Sequence, residues 1–316
     1  MSSAPLTNII IAGATDSVGA PILSALLAEP SFNTTILTRA SSSAKFPTGV
    51  PVKSVSDAYT VEELTSAFEG QDAVVVALST TPVTKDDLAL RIIDAAVAAG
   101  VKRFVPSEFG ADNLDPRARK LVPVYDSKGR TLEYLQKKAK ESNGALTWTS
   151  FACGSWLDWA LDPAKSGNFL GIDVKNKSAT LWDSGNNNFT ITTSGNTGLA
   201  VVRALLKPEE TTNKQIFLSD FVTTSNEIIA SLEKQTGVKW NITKRDSKPE
   251  LLTLRKRFDE GDYNATYPLL TLSFVADVDV GYDFPKERRI WNEQLGLPAQ
   301  YLDKVVKEAI ELANRS

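Results

Sequence analysis

The chain has 316 residues, of which 35 are basic and 38 acidic, with the two signs interleaved and no basic stripe of the kind that phosphate-reading surfaces require. Its one cysteine, Cys153, excludes an internal disulfide, and the absence of histidine excludes Ser-His-Asp and Cys-His hydrolysis and histidine-based zinc or iron sites. Any proton chemistry therefore falls to Lys, Tyr, Asp, Glu or water, and no resident metal is expected.

An apolar, β-rich run at residues 7–12 passes directly into GATDSVG and then into a helical pattern carried by Val18, Ile22, Leu23, Leu26 and Leu27. A second strand is predicted at 34–38, ending at Arg39 before a Ser-rich loop, and a third at 51–55. The next helix has Thr60 as its hydroxyl cap with Glu63 three positions on, and continues to Phe68. Further strands are predicted at 73–78, 103–106 and 146–151, with helices at 88–99 and about 127–141 between them. Uninterrupted apolar strands separated by helices belong in a parallel sheet covered on both faces.

Beyond Gly154 the pattern loosens. It gives β-like pieces at 179–182 and 188–193, helices at 197–206, 225–236, 249–261 and 298–312, and a strand at 215–218. Ser225, as cap of the 225–236 helix, has Ile228 three positions later, so no full capping box is expected there. The expected architecture is α/β: residues 1–153 form a Rossmann-type, doubly wound parallel sheet, and residues 154–316 form a smaller α+β substrate-binding region packed against it, able to return elements to the first. No apolar run reaches the roughly 18 residues of a membrane span. With no export signal visible either, a cytoplasmic protein without membrane or nucleic-acid partners is expected, and the N-x-S/T triplets at Asn33, Asn176, Asn188, Asn241 and Asn264 are read as chance matches.

A dinucleotide-binding turn needs glycine where the chain bends, where backbone approaches the pyrophosphate, and where the helix closes on the sheet. The candidates are Gly13, position 16 and Gly19, and the middle place holds Asp16, whose carboxylate can cap the helix and compete with a phosphate. Thr15, Ser17 and Val18 complete the turn. Two glycines also suit a βα turn in some other α/β fold. At the end of the second strand an acid accepts the ribose hydroxyls of NAD, whereas a basic residue holds the 2′-phosphate of NADP. Here Arg39, three serines and Lys45 stand with no acid in the local sequence, so NADP(H) is the expected cofactor. Solvated loop charges are the plain alternative for Arg39 and Lys45. The loops after the fourth and fifth strands, Ser79-Thr80-Thr81-Pro82 and Ser107-Glu108-Phe109, fall at the carboxyl edge where a nicotinamide would lie.

Lys128, in VYDSKGRTLEYL, stands near the start of the helix predicted from about 127. The helix dipole and partial burial both lower an ammonium's pKa there, which suits proton delivery, although a surface lysine like Lys137, Lys138 or Lys140 is the alternative. Tyr125 lies three residues before Lys128, not at Y-x-x-x-K spacing, and is the weaker candidate. Trp156, Trp159 and Phe169 can line an aromatic cavity or serve as interface core.

The segments IIIAGATDSVG, LTRASSSAKF, AAGVKRFVPSEFGAD, VYDSKGRTLEYL and TSNEIIASLEKQTG, in this order over most of the chain, resemble the NmrA-like and isoflavone-reductase-like family of atypical short-chain dehydrogenases. The resemblance implies an NADPH-dependent reductase of small aromatic molecules, phenylpropanoid-like or polyketide-like, acting at an enone, ketone or benzylic carbon. It places the family's basic residue on Arg39, its pocket lysine on Lys128 and its phosphate turn on Gly13, Thr15, Asp16, Ser17, Val18 and Gly19, with glycine usual where Asp16 stands. Its nicotinamide-side loops fall on Thr80, Thr81, Pro82, Ser107, Glu108 and Phe109. The family also contains non-catalytic NADP(H) sensors that bind a protein partner. An enzyme, as monomer or homodimer, should keep an aromatic-lined cavity, whereas a sensor can fill that space with side chains.

Overall fold

A computed structural model describes residues 5–15, 17–80, 87–166 and 168–314. Its strands are β1 (Asn8–Ala12), β2 (Asn33–Arg39), β3 (Val52–Val55), β4 (Ala73–Val76), β5 (Arg103–Val105), β6 (Thr147–Ala152), β7 (Ile172–Asp173), β8 (Ser178–Trp182), β9 (Phe189–Ile191), β10 (Lys214–Phe217), β11 (Phe221–Thr223) and β12 (Asn241–Arg245). Seven of them form one sheet in the order β10-β6-β5-β4-β1-β2-β3, and each pairing in it is parallel. The strand order reverses between β1 and β4, which opens a crevice at their carboxyl ends.

The two-residue period of the strands divides the central apolar runs between two cores. Ile9 and Ile11 of β1 and Val75 of β4 face one layer, and Ile10, Val74 and Val76 face the other. Helices α1 (Gly19–Ala28), α2 (Val61–Phe68), α3 (Leu88–Ala98), α4 (Pro116–Leu121) and α5 (Pro123–Glu141) follow in chain order. In the C-terminal half come α6 (Ser194–Leu206), α7 (Ser225–Thr236), α8 (Ser247–Asp259), α9 (Thr266–Val275) and α10 (Leu302–Ala313). Side chains of α1 and α6 cover the first face of the sheet, and those of α2, α3 and α5 cover the second. α6 closes so tightly on α1 that a Cβ added at Gly198 would lie 2.6 Å from the Pro21 carbonyl oxygen.

The remaining C-terminal elements make a three-stranded sheet, β12-β8-β7, and an antiparallel pair, β11-β9, around a core that includes Phe189, Leu269, Phe274 and Val305. Several details depart from expectation. α5 begins at Pro123, four residues early, because proline is well placed in a helix's first turn, where its missing N–H has no intrahelical partner to lose. The cap of α7 is Thr224, not Ser225, and with Glu227 it forms a complete capping box. The fourth strand leaves the ladder after Val76, so Ala77 and Leu78 border the crevice instead.

Candidate active site

The crevice is closed at its base by backbone-to-backbone contacts that only glycine permits. Gly13, with φ +85°, would place a Cβ 2.5 Å from the Ala77 carbonyl oxygen, and a Cβ on Gly19 would lie 1.8 Å from the Gly13 oxygen. The exits of β1 and β4 and the start of α1 are thereby drawn together. Val18, at the N-cap of α1, carries no side-chain oxygen to accept the first helical N–H groups. Ser17 and Val18 border a cavity of about 570 Å³ together with Ala77, Leu78, Ser79 and Thr80. Thr15 is exposed and stands outside that wall; Asp16, Thr81 and Pro82 lie outside the described residues.

Arg39 closes β2 and is exposed, as is Lys45, and neither reaches the cavity wall. The local sequence shows no acid there, but the fold supplies one from just beyond β3: the Asp57 carboxylate accepts hydrogen bonds from the backbone N–H and hydroxyl of Ser41. The Ser41 hydroxyl above all, with the nearby Arg39 charge adding less, holds the Asp57 carboxyl below its usual range.

Lys128 lies six residues into α5, beyond the first turn, so the helix terminus contributes little to its chemistry and burial takes the place of the expected dipole effect. α5 approaches the 111–115 loop closely enough that a Cβ on Gly129 would lie 2.3 Å from the Asn113 carbonyl oxygen. This packing carries Lys128 to the site loop, where its Nζ donates to the Glu108 carbonyl oxygen at 3.0 Å. Desolvation lowers the pKa of Lys128, against the opposing pull of Glu108.

Glu108 itself is 3% exposed. Asn113 Nδ2 donates to its Oε2 at 2.8 Å, yet burial wins over that bond and over the Lys128 charge, and the carboxyl is pushed up to about 7. Ser107 Oγ donates to the Leu78 carbonyl at 2.7 Å and ties the two crevice loops together. Phe109 stacks on Phe151 with centroids 5.9 Å apart, and the Gly110 carbonyl accepts from Cys153 N at 3.0 Å and Gly154 N at 2.9 Å. The loop that holds Glu108 is therefore anchored on both sides.

The far wall is aromatic. Trp156 and Trp159 meet edge-on at 6.4 Å, Trp159 and Phe169 at 5.4 Å, and Phe169 and Phe274 at 6.1 Å, and all four border the cavity. Trp156 Nε1 donates to Thr197 Oγ1 at 3.2 Å, which fixes that ring to α6. Tyr125 also borders the cavity, but its hydroxyl is engaged by Tyr282 and Ser273, and burial pushes it up to about 12. Cys153 is buried and its thiol is likewise pushed up to about 12, so it is no nucleophile at neutral pH. The fold brings Ser17, Val18, Ser79, Thr80, Ser107, Glu108, Phe109 and Lys128 around one space and leaves Gly13, Thr15, Gly19, Arg39 and Lys45 off its wall. Phe274, Leu270 and Tyr267 of α9 join that wall without having been singled out in the sequence.

A family model described as the NmrA-like family matches residues 6–252. The chain is 34% identical over 305 residues to "Oxidoreductase aprR" of Aspergillus flavus, covering 96% of this chain and 99% of that protein. Among solved structures it superposes on an isoflavone reductase with a TM-score of 0.70 at 21% identity, over 96% of this chain and 99% of the other. The binary complex of leucoanthocyanidin reductase and NADPH from Vitis vinifera gives a TM-score of 0.74 at 18% identity, with the same two coverages, 96% and 99%.

Proposed function

The chain belongs to the NmrA-like family, and from that premise we propose that it is an NADPH-dependent reductase that passes a hydride to a small aromatic molecule at an enone, ketone or benzylic carbon. One observation carries this assignment: Ser17 and Val18 of the turn after β1, the 107–110 loop, Lys128 and an aromatic wall all border a single cavity of about 570 Å³. A relative aligned along its whole length bears the name oxidoreductase, and a protein of the same fold is seen with NADPH. In this assignment residues 1–153 hold the dinucleotide and 154–316 supply the substrate wall.

The N-terminus of α1 with Gly13, Thr15, Ser17, Val18 and Gly19 would hold the pyrophosphate, and Arg39 and Lys45 the 2′-phosphate. Ser79, Thr80, Ser107, Glu108 and Phe109 would border the nicotinamide. Asp16, Thr81 and Pro82 are assigned from the family pattern alone. When bound, the reduced dinucleotide supplies the hydride. Trp156, Trp159, Phe169 and Phe274 offer ring faces and edges to an aromatic substrate and displace water from it. Lys128 directs an N–H towards the substrate oxygen on which electron density grows, and its lowered pKa eases release of the proton. No histidine competes for this role, and Tyr125 is held in its own hydroxyl cluster.

The test is transfer of deuterium from 4-deuterated NADPH to a panel of aromatic enones, ketones and benzylic ethers, read by mass spectrometry. Wild-type protein should place one deuterium in the product of at least one panel class. K128A should lower that turnover roughly 10²- to 10⁴-fold with NADPH affinity little changed, and K128R should not restore it. Near-normal turnover by K128A would remove Lys128 from the chemistry, and tight NADPH binding without transfer to any panel member would count against the reductase.

A further inference from the structure

Lys128 and Glu108 stand between two spaces. A second pocket, of about 20 Å³, shares with the main cavity, among the described residues, Ser107, Glu108 and Lys128 alone. Its remaining lining is apolar residues of β4, α3, β5 and Pro106, with Thr131 of α5 as the additional polar group. That volume admits about one water, and the four polar residues are enough to hold it. The Lys128 ammonium already touches the main chain of Glu108, and the Glu108 side chain is buried with one carboxyl oxygen held by Asn113.

We propose, resting on the reductase assignment, that Glu108 is the proton reservoir of Lys128. As the hydride and its electron pair arrive from the reduced nicotinamide, an Nζ–H bond of Lys128 breaks and the proton joins the substrate. The Glu108 O–H bond then breaks, its proton restores the Lys128 ammonium, and the carboxylate is reprotonated by water through the small pocket. Glu108 thus acts through Lys128 and does not touch the substrate.

Among the described residues, few charges act on this pair. Lys128 approaches Glu108 from α5, and Asp112 approaches from the same loop but is engaged by Arg288 at 3.0 Å and by Gln215 at 3.1 Å. The Cys153 thiol at the end of β6 lies near enough to affect Lys128. A carboxyl held at about 7 in such surroundings is half protonated at neutral pH, as a reservoir must be.

Infrared difference spectroscopy of the full chain between about pH 5 and 9, without substrate, reads the C=O stretch of the protonated acid. Wild-type protein should lose a buried-carboxyl band with a midpoint near 7, and E108Q should lack that band. K128M should move the midpoint up by about one pH unit or more, because the opposing cation is gone. In the deuterium-transfer assay, the later turnovers of E108Q should be slower than its own first turnover, whereas successive wild-type turnovers should keep one rate. A band that E108Q does not remove, or a midpoint that K128M leaves in place, overturns the proposal. K128M keeps Glu108 intact and decides the matter even if E108Q fails to fold. NADPH titration of the same samples separates the two ideas. A coupled pair in a protein that binds no NADPH sinks the reductase assignment, and NADPH binding with no titrating Glu108 sinks the reservoir.

Discussion

Glu108 and Arg39 show how far a residue's role depends on its surroundings. The Glu108 carboxyl, at about 7 in the folded chain, lies above its ordinary 4.5, so folding retains a proton that the unfolded chain has released between those values. Its stabilising contribution is complete below about 4.5 and is lost as pH rises through about 7. The melting temperature of E108Q relative to wild type should therefore rise between pH 5 and 8, measured by calorimetry; a constant difference would mean that Glu108 titrates normally. Arg39 is exposed at the end of β2 and can fork a 2′-phosphate, while Asp57 holds Ser41 beside it. R39A should weaken NADPH roughly tenfold or more, the scale of a charge-assisted hydrogen bond, and NADH far less. Equal losses for both dinucleotides, read by fluorescence titration, would remove Arg39 from the phosphate site.

At the scale of elements, the site depends on how α5 docks. Adding a methyl at Gly129 forces the helix away from Asn113 and takes Lys128 with it, whereas Gly195 in α6 has open space around an added Cβ. G129A should cost several degrees of melting temperature and most of the turnover, and G195A should be neutral or slightly stabilising. Matching behaviour of the two variants would show that the close approach is dispensable. The elements legible in the sequence were those whose apolar residues repeat with a clear period: β1, β2, β4 and the helices between them. β12 escaped because Asn241–Arg245 is polar and largely exposed at a sheet edge, with no apolar run to reveal it. α9 escaped for the opposite reason, since Thr266–Val275 buries residues on most of its circumference and has no polar face to mark a helical period. The candidate site was legible in Gly13 and Gly19, where local spacing encodes the turn, and in Lys128 through the family resemblance. Asp57 beside Arg39, Phe274 on the aromatic wall and the burial that raises Glu108 arise from tertiary contacts that no local pattern contains.

The two halves of the chain are interdependent. β10 extends the sheet beside β6, α6 covers α1 through Gly198, and Arg117 bonds Asp115 on its own side and Asp279 and Glu287 from the C-terminal side. Residues 1–153 expressed alone should not unfold cooperatively, since the β6 edge and one face of α1 would be bare; a sharp calorimetric transition from that fragment would contradict this. This packing fixes the aromatic wall relative to the glycine turn, and in the proposed assignment a nicotinamide would lie in the cavity between them. Trp156 and Trp159 border that cavity, so energy transfer from tryptophan to reduced nicotinamide reports a cofactor seated there directly. The most direct measurement is the titration of wild type, W156F and W159F with NADPH, exciting tryptophan and recording nicotinamide emission. Saturable binding with transfer that falls sharply in both variants is the predicted result. No binding, or binding with transfer that both variants leave unchanged, would contradict a nicotinamide site in this cavity.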